Sequence, residues 1–199
     1  MIFDYGKVLS LPPSDADWVA LAAAAGVPYD KFPGLYWGFR DAYDRRELDA
    51  AAYWSKVAGQ ALPENQVTEL IAMDDAQWTK ENHEMVQLSR ELRERGVKTA
   101  VLSNMQADML KVLRAKFAWL AEFEVQMYSC EVGLVKPAPE IYLECTRRLG
   151  VEPGQSLFLD DKQPNIDGAE KAGLHALLFH GDRAAAEGKL AELGVSLRA

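Results

Sequence analysis

From residue 82 onward, short apolar runs of strand length alternate with helical stretches, and that alternation restricts the chain to an α/β fold built on an open, doubly wound parallel sheet. A helix over 82–95 closes at Gly96, and a strand over 97–102 follows it. Next come a helix over 107–116, a rim strand in which Phe123, Val125 and Met127 alternate with polar residues, and a loop over 131–139. A helix over 140–149, a strand over 156–159, a helix opened by Pro164, a strand over 174–179 and a helix over 183–193 complete the pattern. Met1 to Phe3 form one more short apolar run, ending at Asp4. Ligands of such sheets bind beyond the carboxyl ends of the strands, where Asp4, Ser103 and the Asp160-Asp161 pair all fall.

Between Ser10 and Lys80 no β-branched run reaches strand length. Ser14 to Asp17 form a capping box ahead of Trp18, Leu21, Ala22 and Ala25 at helical spacing, and Gly26 ends that helix. Helical patterns over 29–37, 41–46, 49–58 and 64–73 follow, separated by prolines and glycines. The expected organisation is a Rossmann-like core from 1–10 and 83–199, with 11–82 inserted as an all-helical domain.

A chain of 199 residues that is 49% hydrophobic and 26% charged can bury a full core. Its net charge of −8 and the lack of any Lys/Arg run exclude nucleic acid and anionic membrane as partners. A phosphate could be held only in a locally arranged site. Cys130 and Cys145 have no metal-ligand or C-x-x-C spacing, which predicts reduced thiols in a cytoplasmic protein. No signal peptide or bilayer-length apolar run is present, and the start so close to Asp4 leads us to expect a longer natural N-terminus.

A carboxylate at the mouth of a buried strand serves as metal ligand or nucleophile, although a bare D-x-G is more often a simple turn. Gly6 is expected to turn the backbone sharply and leave room for a ligand. Phosphoryl transfer needs an attacking oxygen, a cation between phosphate and carboxylates, and donors for the non-bridging oxygens. Asp4 could attack. Asp161 and Asp160 beside it would call for a hard divalent cation, Mg2+ in our reading, with the Gly6 carbonyl as a further ligand. Ser103 offers a hydroxyl, Asn104 a backbone N–H at a helix entrance, and Lys136 a point charge whose backbone Pro137 biases toward extended. Each also has an ordinary use: a helix cap, a solvated surface lysine, acids in a turn.

In this order the motifs resemble the haloacid dehalogenase-like superfamily. Asp4-Tyr5-Gly6 is similar to its first motif, Val101-Leu102-Ser103-Asn104 to the second, Val135 to Tyr142 to the third, and Phe158 to Asp161 through Asn165 to the fourth. The insert after the first motif resembles a C1-type cap. The resemblance implies a Rossmann-like core, an aspartate nucleophile at Asp4 and, in most members, a magnesium-dependent phosphatase.

The family's phosphatases usually carry a second aspartate two residues after the nucleophile, as general acid and base; here that position is Gly6. Loss of a positioned acid/base costs about 100- to 10,000-fold in rate. Three readings remain open: a phosphatase acting on a small phosphate ester, such as a sugar phosphate, with a comparatively acidic leaving group; a metal-free 2-haloacid dehalogenase, with Arg40 binding carboxylate or halide; or a degenerate site that binds a phosphorylated ligand without turnover. The first is preferred, because the second has little use for Asp160-Asp161. Four of the five tryptophans lie in the insert; most are expected in its own core, while an aromatic wall with Arg40 as polar handle suits a small phosphorylated metabolite. Monomer and homodimer are both compatible with the sequence.

Overall fold

A computed structural model describes residues 1–197. Five parallel strands, β1 (Ile2–Phe3), β2 (Ala100–Ser103), β3 (Val125–Tyr128), β4 (Leu157–Asp160) and β5 (His175–Leu178), form one sheet in the order β3-β2-β1-β4-β5. Phe3 lies opposite Val101 on one side and Leu159 on the other, so β1 is the central strand. The chain runs outward from β1 to β3, then crosses back to β4. That reversal opens the crevice at the carboxyl ends of β1 and β4.

The helices are α1 (Asp15–Ala24), α2 (Phe32–Gly38), α3 (Arg40–Asp44), α4 (Ala50–Ala58), α5 (Glu64–Gln77), α6 (His83–Glu94), α7 (Ala107–Lys116), α8 (Ser129–Val132), α9 (Pro139–Leu149), α10 (Gln163–Lys171) and α11 (Arg183–Glu192). The period-2 alternation of the strands sorts them into two layers. Ile2, Ala100, Leu102 and Phe158 face α9 and α10, whereas Phe3, Val101, Leu157 and Leu159 face α6, α7 and α11. Strand β3 is an edge, as its alternation predicts.

Strand β2 begins three residues later than the apolar run suggests. Thr99 donates its backbone N–H and its hydroxyl to the Glu124 carboxylate, each at 2.8 Å, so a side chain takes the place of a ladder partner there. The strand also runs one residue further and takes in Ser103, just as β4 takes in Asp160. The short helix α8, closed by Gly133 at φ 72°, falls within a stretch that reads as strand end and loop.

Helices α1 to α5 enclose a separate apolar cluster in which Phe32, Tyr36, Tyr53 and Trp54 are fully buried. The capping box is present: Ser14 Oγ accepts from Asp17 N, and the Asp17 carboxylate accepts from Ser14 N at 2.7 Å. Where the chain enters and leaves these helices, Leu11 N donates to Lys80 O at 2.7 Å and Asn82 N to Leu9 O at 2.9 Å. Both cysteines are free and buried, and burial pushes Cys130 up to about 11. No helix among the described residues is long and apolar enough to cross a membrane.

Candidate active site

Asp4 continues the ladder of β1, donating its N–H to Leu159 O at 2.9 Å, while its Oδ1 accepts from Tyr5 N at 2.7 Å. A wide turn over Tyr5–Leu9 follows, closed by Ser10 N donating to Tyr5 O at 2.9 Å. The expectation that Gly6 makes the turn is corrected here. Gly6 has φ −63° and ψ 125°, which any residue adopts, and a Cβ on it would meet only the Trp78 ring, at an ordinary 3.6 Å. The left-handed position is Lys7, at φ 59°, a conformation that costs a residue with a Cβ roughly 1–2 kcal/mol. Its ammonium lies 2.9 Å from Asp161 Oδ2.

Lys136 stands at the centre of the site. Its Nζ is 2.8 Å from Asp4 Oδ1 and 2.6 Å from Asp160 Oδ2. Two contacts fix its backbone: Asn104 Oδ1 accepts from Lys136 N at 2.8 Å, and Asn104 Nδ2 donates to Lys136 O at 3.0 Å. The Lys136–Pro137 peptide is cis. Helix α10 presses on this loop at Gly168, where a Cβ would collide with the Pro137 carbonyl. Ser103, at the end of β2, is buried, and its hydroxyl makes only a long 3.4 Å contact to Asn104 O. The side-chain amide of Asn104 therefore positions Lys136, while Ser103 keeps its donor.

Burial pushes Asp4 up to about 7; Lys136 opposes that shift, and the charges of Asp160 and Asp161 add to it. Burial disfavours the charge on Lys136, but Asp160 and Asp4 outweigh it and hold the ammonium above its ordinary value. Asp4, Asp160 and Asp161 each present an oxygen within 4.8 Å of the others. Three carboxylate oxygens at that spacing fit a hard divalent cation, which takes oxygen ligands. Asp160 is the most occupied of the three: Oδ2 takes Lys136 and Asn165 Nδ2 at 2.9 Å, and Oδ1 takes Lys162 N at 2.8 Å. Asn165, the last residue of the fourth motif, donates its Nδ2 to both oxygens of Asp160 and so clamps that carboxylate. Its place in the first turn of the helix after the acidic doublet is the signal that could have identified it.

Apart from the fully buried Asp160, these groups line a cavity of about 240 Å³ between the sheet's carboxyl edge and α2, α3 and Trp78. Trp37, Trp78, Met105, Met109 and Lys162 complete its lining; Trp37 is exposed, whereas Trp78, Met105 and Met109 are buried. Arg40 also borders it, but the guanidinium is engaged on every side: Nε with Asp44 at 2.9 Å, Nη1 with Asp74 at 3.1 Å and with Tyr36 Oη, and Nη2 with Gln106 Oε1. Gln106 lies between β2 and α7, so this knot ties α2, α3 and α5 to the sheet layer. Tyr43 Oη to Asp108 at 2.9 Å and Ser129 Oγ to Asp44 O at 2.9 Å reinforce it. No sequence signal links these partners.

Over residues 15–173 the chain matches the family of haloacid dehalogenase-like hydrolases. It is similar to acyl-CoA dehydrogenase family member 10 of Mus musculus, 31% identical over 127 residues, which is 62% of this chain and 11% of that protein. It is also similar to flavin mononucleotide hydrolase 1 of Arabidopsis thaliana, 36% identical over 94 residues, 47% of this chain and 35% of that one. The chain thus spans about a tenth to a third of the length of these curated relatives. A HAD family enzyme from Bacteroides thetaiotaomicron, solved in complex with magnesium and inorganic phosphate, superimposes with a TM-score of 0.71 at 19% identity, covering 93% of this chain and 96% of that one. At that identity the likeness is one of fold.

Proposed function

This chain belongs to the haloacid dehalogenase-like hydrolase family, and on that premise we propose that it is a magnesium-dependent phosphatase of a small phosphate monoester. The observation that carries the reading is the Lys136 ammonium between Asp4 and Asp160, with Asp161 and Ser103 on the same cavity. The magnesium and phosphate in the Bacteroides enzyme support it.

In this reading Asp4 attacks phosphorus, the ester oxygen departs with its electron pair, and water then cleaves the aspartyl phosphate and restores the carboxylate. Ser103 and the Asn104 backbone N–H hold phosphate oxygens, and Lys136 neutralises charge that builds on them. Asn165 and Asp160 keep Lys136 in place. Asp4, Asp161 and the Gly6 carbonyl, with Asp160 behind them, would hold Mg2+, whose contribution is Lewis-acid neutralisation of phosphate charge. Residues 11–82 act as a cap that excludes water, and we assign Arg40 to holding that cap, since two carboxylates already share its guanidinium.

The test is phosphate release from phenyl and sugar phosphates with and without magnesium, in wild type and Asp4→Asn. Magnesium-dependent release that falls by at least about 10³-fold in Asp4→Asn is expected. Chloride release from 2-chloropropionate that persists in EDTA would assign the dehalogenase reaction instead. Silence in both assays, with thermal stabilisation by inorganic phosphate, would identify a binding protein.

A further inference from the structure

The phosphate chemistry accounts for Asp4, Ser103, Lys136 and Asp161 on the cavity but not for the wall formed by Trp37 and Lys162. There Trp37 on α2 remains 38% exposed, while its ring is braced by the edges of Tyr36 at 4.8 Å and Trp78 at 6.4 Å. Lys162, next to Asp161 on the other domain, places its Nζ 4.2 Å from the centre of the Trp37 ring. Lys162 has no ion pair among the described residues. An indole at a protein surface often carries a passing lysine, and the contact is worth about 0.5–1 kcal/mol at an exposed site. This pair differs in joining the two domains, and both residues line the cavity that holds Asp4.

A second observation comes from the chemical end. Gly6 has a backbone conformation open to any residue and room for a Cβ, yet no side chain stands there to protonate a departing oxygen. An ester can leave unprotonated when the resulting oxyanion is stabilised, as a ring-conjugated oxyanion is. The volume is sufficient: about 150 Å³ accommodates a benzene ring, so a cavity of about 240 Å³ has room for one aromatic ring beside a phosphate.

Resting on the phosphatase reading, we infer that Trp37 and Lys162 form the leaving-group subsite, and that the substrate is a phosphate monoester of a single-ring aromatic hydroxyl. The ring takes the indole face that Lys162 now covers, and the displaced ammonium turns toward the phosphate. Asp4 forms a bond to phosphorus as the P–O bond to the ring breaks; the aryl oxide leaves with the electron pair and takes a proton from solvent. Water then attacks phosphorus, releases inorganic phosphate and returns the Asp4 carboxylate.

The experiment is calorimetric binding of phenylphosphonate and methylphosphonate in the presence of magnesium, paired with kcat/KM for phenyl phosphate relative to acetyl phosphate. Wild type is expected to bind phenylphosphonate about ten-fold more tightly than methylphosphonate, consistent with one stacked ring. Trp37→Leu should erase that preference and lower the phenyl-to-acetyl ratio of kcat/KM about ten-fold, and Trp37→Phe should retain part of both. Equal affinities in wild type, a measurement that needs no variant, would overturn the subsite, as would a preference that survives in Trp37→Leu. Selective phenylphosphonate binding without turnover of either ester would uphold the subsite and remove the phosphatase reading; turnover with an unchanged ratio in Trp37→Leu would do the reverse.

Discussion

Replacing Arg40 by methionine keeps most of the side chain's length and removes the one cation that two buried carboxylates share. Asp44 is 3% exposed and Asp74 is 1% exposed. Asp74 retains Tyr36 Oη and Gln77 Nε2, both at 2.8 Å, whereas Asp44 has no other side-chain donor among the described residues. Burial already raises the Asp44 carboxyl above its ordinary value with Arg40 opposing, so without Arg40 an ionised Asp44 faces that penalty with only the weaker pull of Lys162 against it. Removing one partner of a buried pair costs about 3–5 kcal/mol. For a chain of this size that corresponds to a fall in Tm of about 6–20 °C. The loss should be smaller at pH 5, where Asp44 can take up a proton, and Arg40→Met combined with Asp44→Asn should recover part of it. Urea titration and scanning calorimetry at the two pH values read all three effects. An Arg40→Met protein with unchanged Tm and a raised KM for phosphate esters would refute the argument and return Arg40 to the substrate.

Asp75, buried in α5, is pushed up to about 7 by burial and by the charges of Asp74 and Asp108, with Arg40 opposing. The folded protein therefore holds a proton that the unfolded chain releases near its ordinary, lower value, so stability falls as pH rises from about 4 to about 7 and levels off beyond. Asp75→Asn should remove this slope: the Tm difference, variant minus wild type, grows from pH 5 to pH 8, and parallel curves would count against it. At the acidic cluster, Lys7 is 43% exposed at its side chain and Lys136 only 1%. A cation entering between Asp4 and Asp161 should displace the exposed partner, so Lys7→Met is expected to tighten Mg2+ binding several-fold by calorimetry, and unchanged affinity would contradict that.

The parts of this molecule that were legible in the sequence are those whose partners are set by strand geometry. Asp4, Ser103 and Asp160-Asp161 read as neighbours because each ends an apolar run, and a parallel sheet brings such ends to one edge. The division of labour within the doublet was not legible, since nothing in two adjacent aspartates says that the first is enclosed by Lys136 and Asn165 while the second meets a lysine in the left-handed region. Arg40 shows the same limit at longer range. A surface-like arginine on a short helix reads as a ligand for substrate, and only the fold reveals that Asp74 and Gln106, 34 and 66 residues away, have claimed it. The contrast is one of donors to be filled: Lys136 reaches the edge where the strand-end carboxylates converge, so its partners Asp4 and Asp160 follow from topology, whereas Arg40 lies where α3, α5 and the chain after β2 meet, and the packing of that junction alone decides which carboxylates its donors reach.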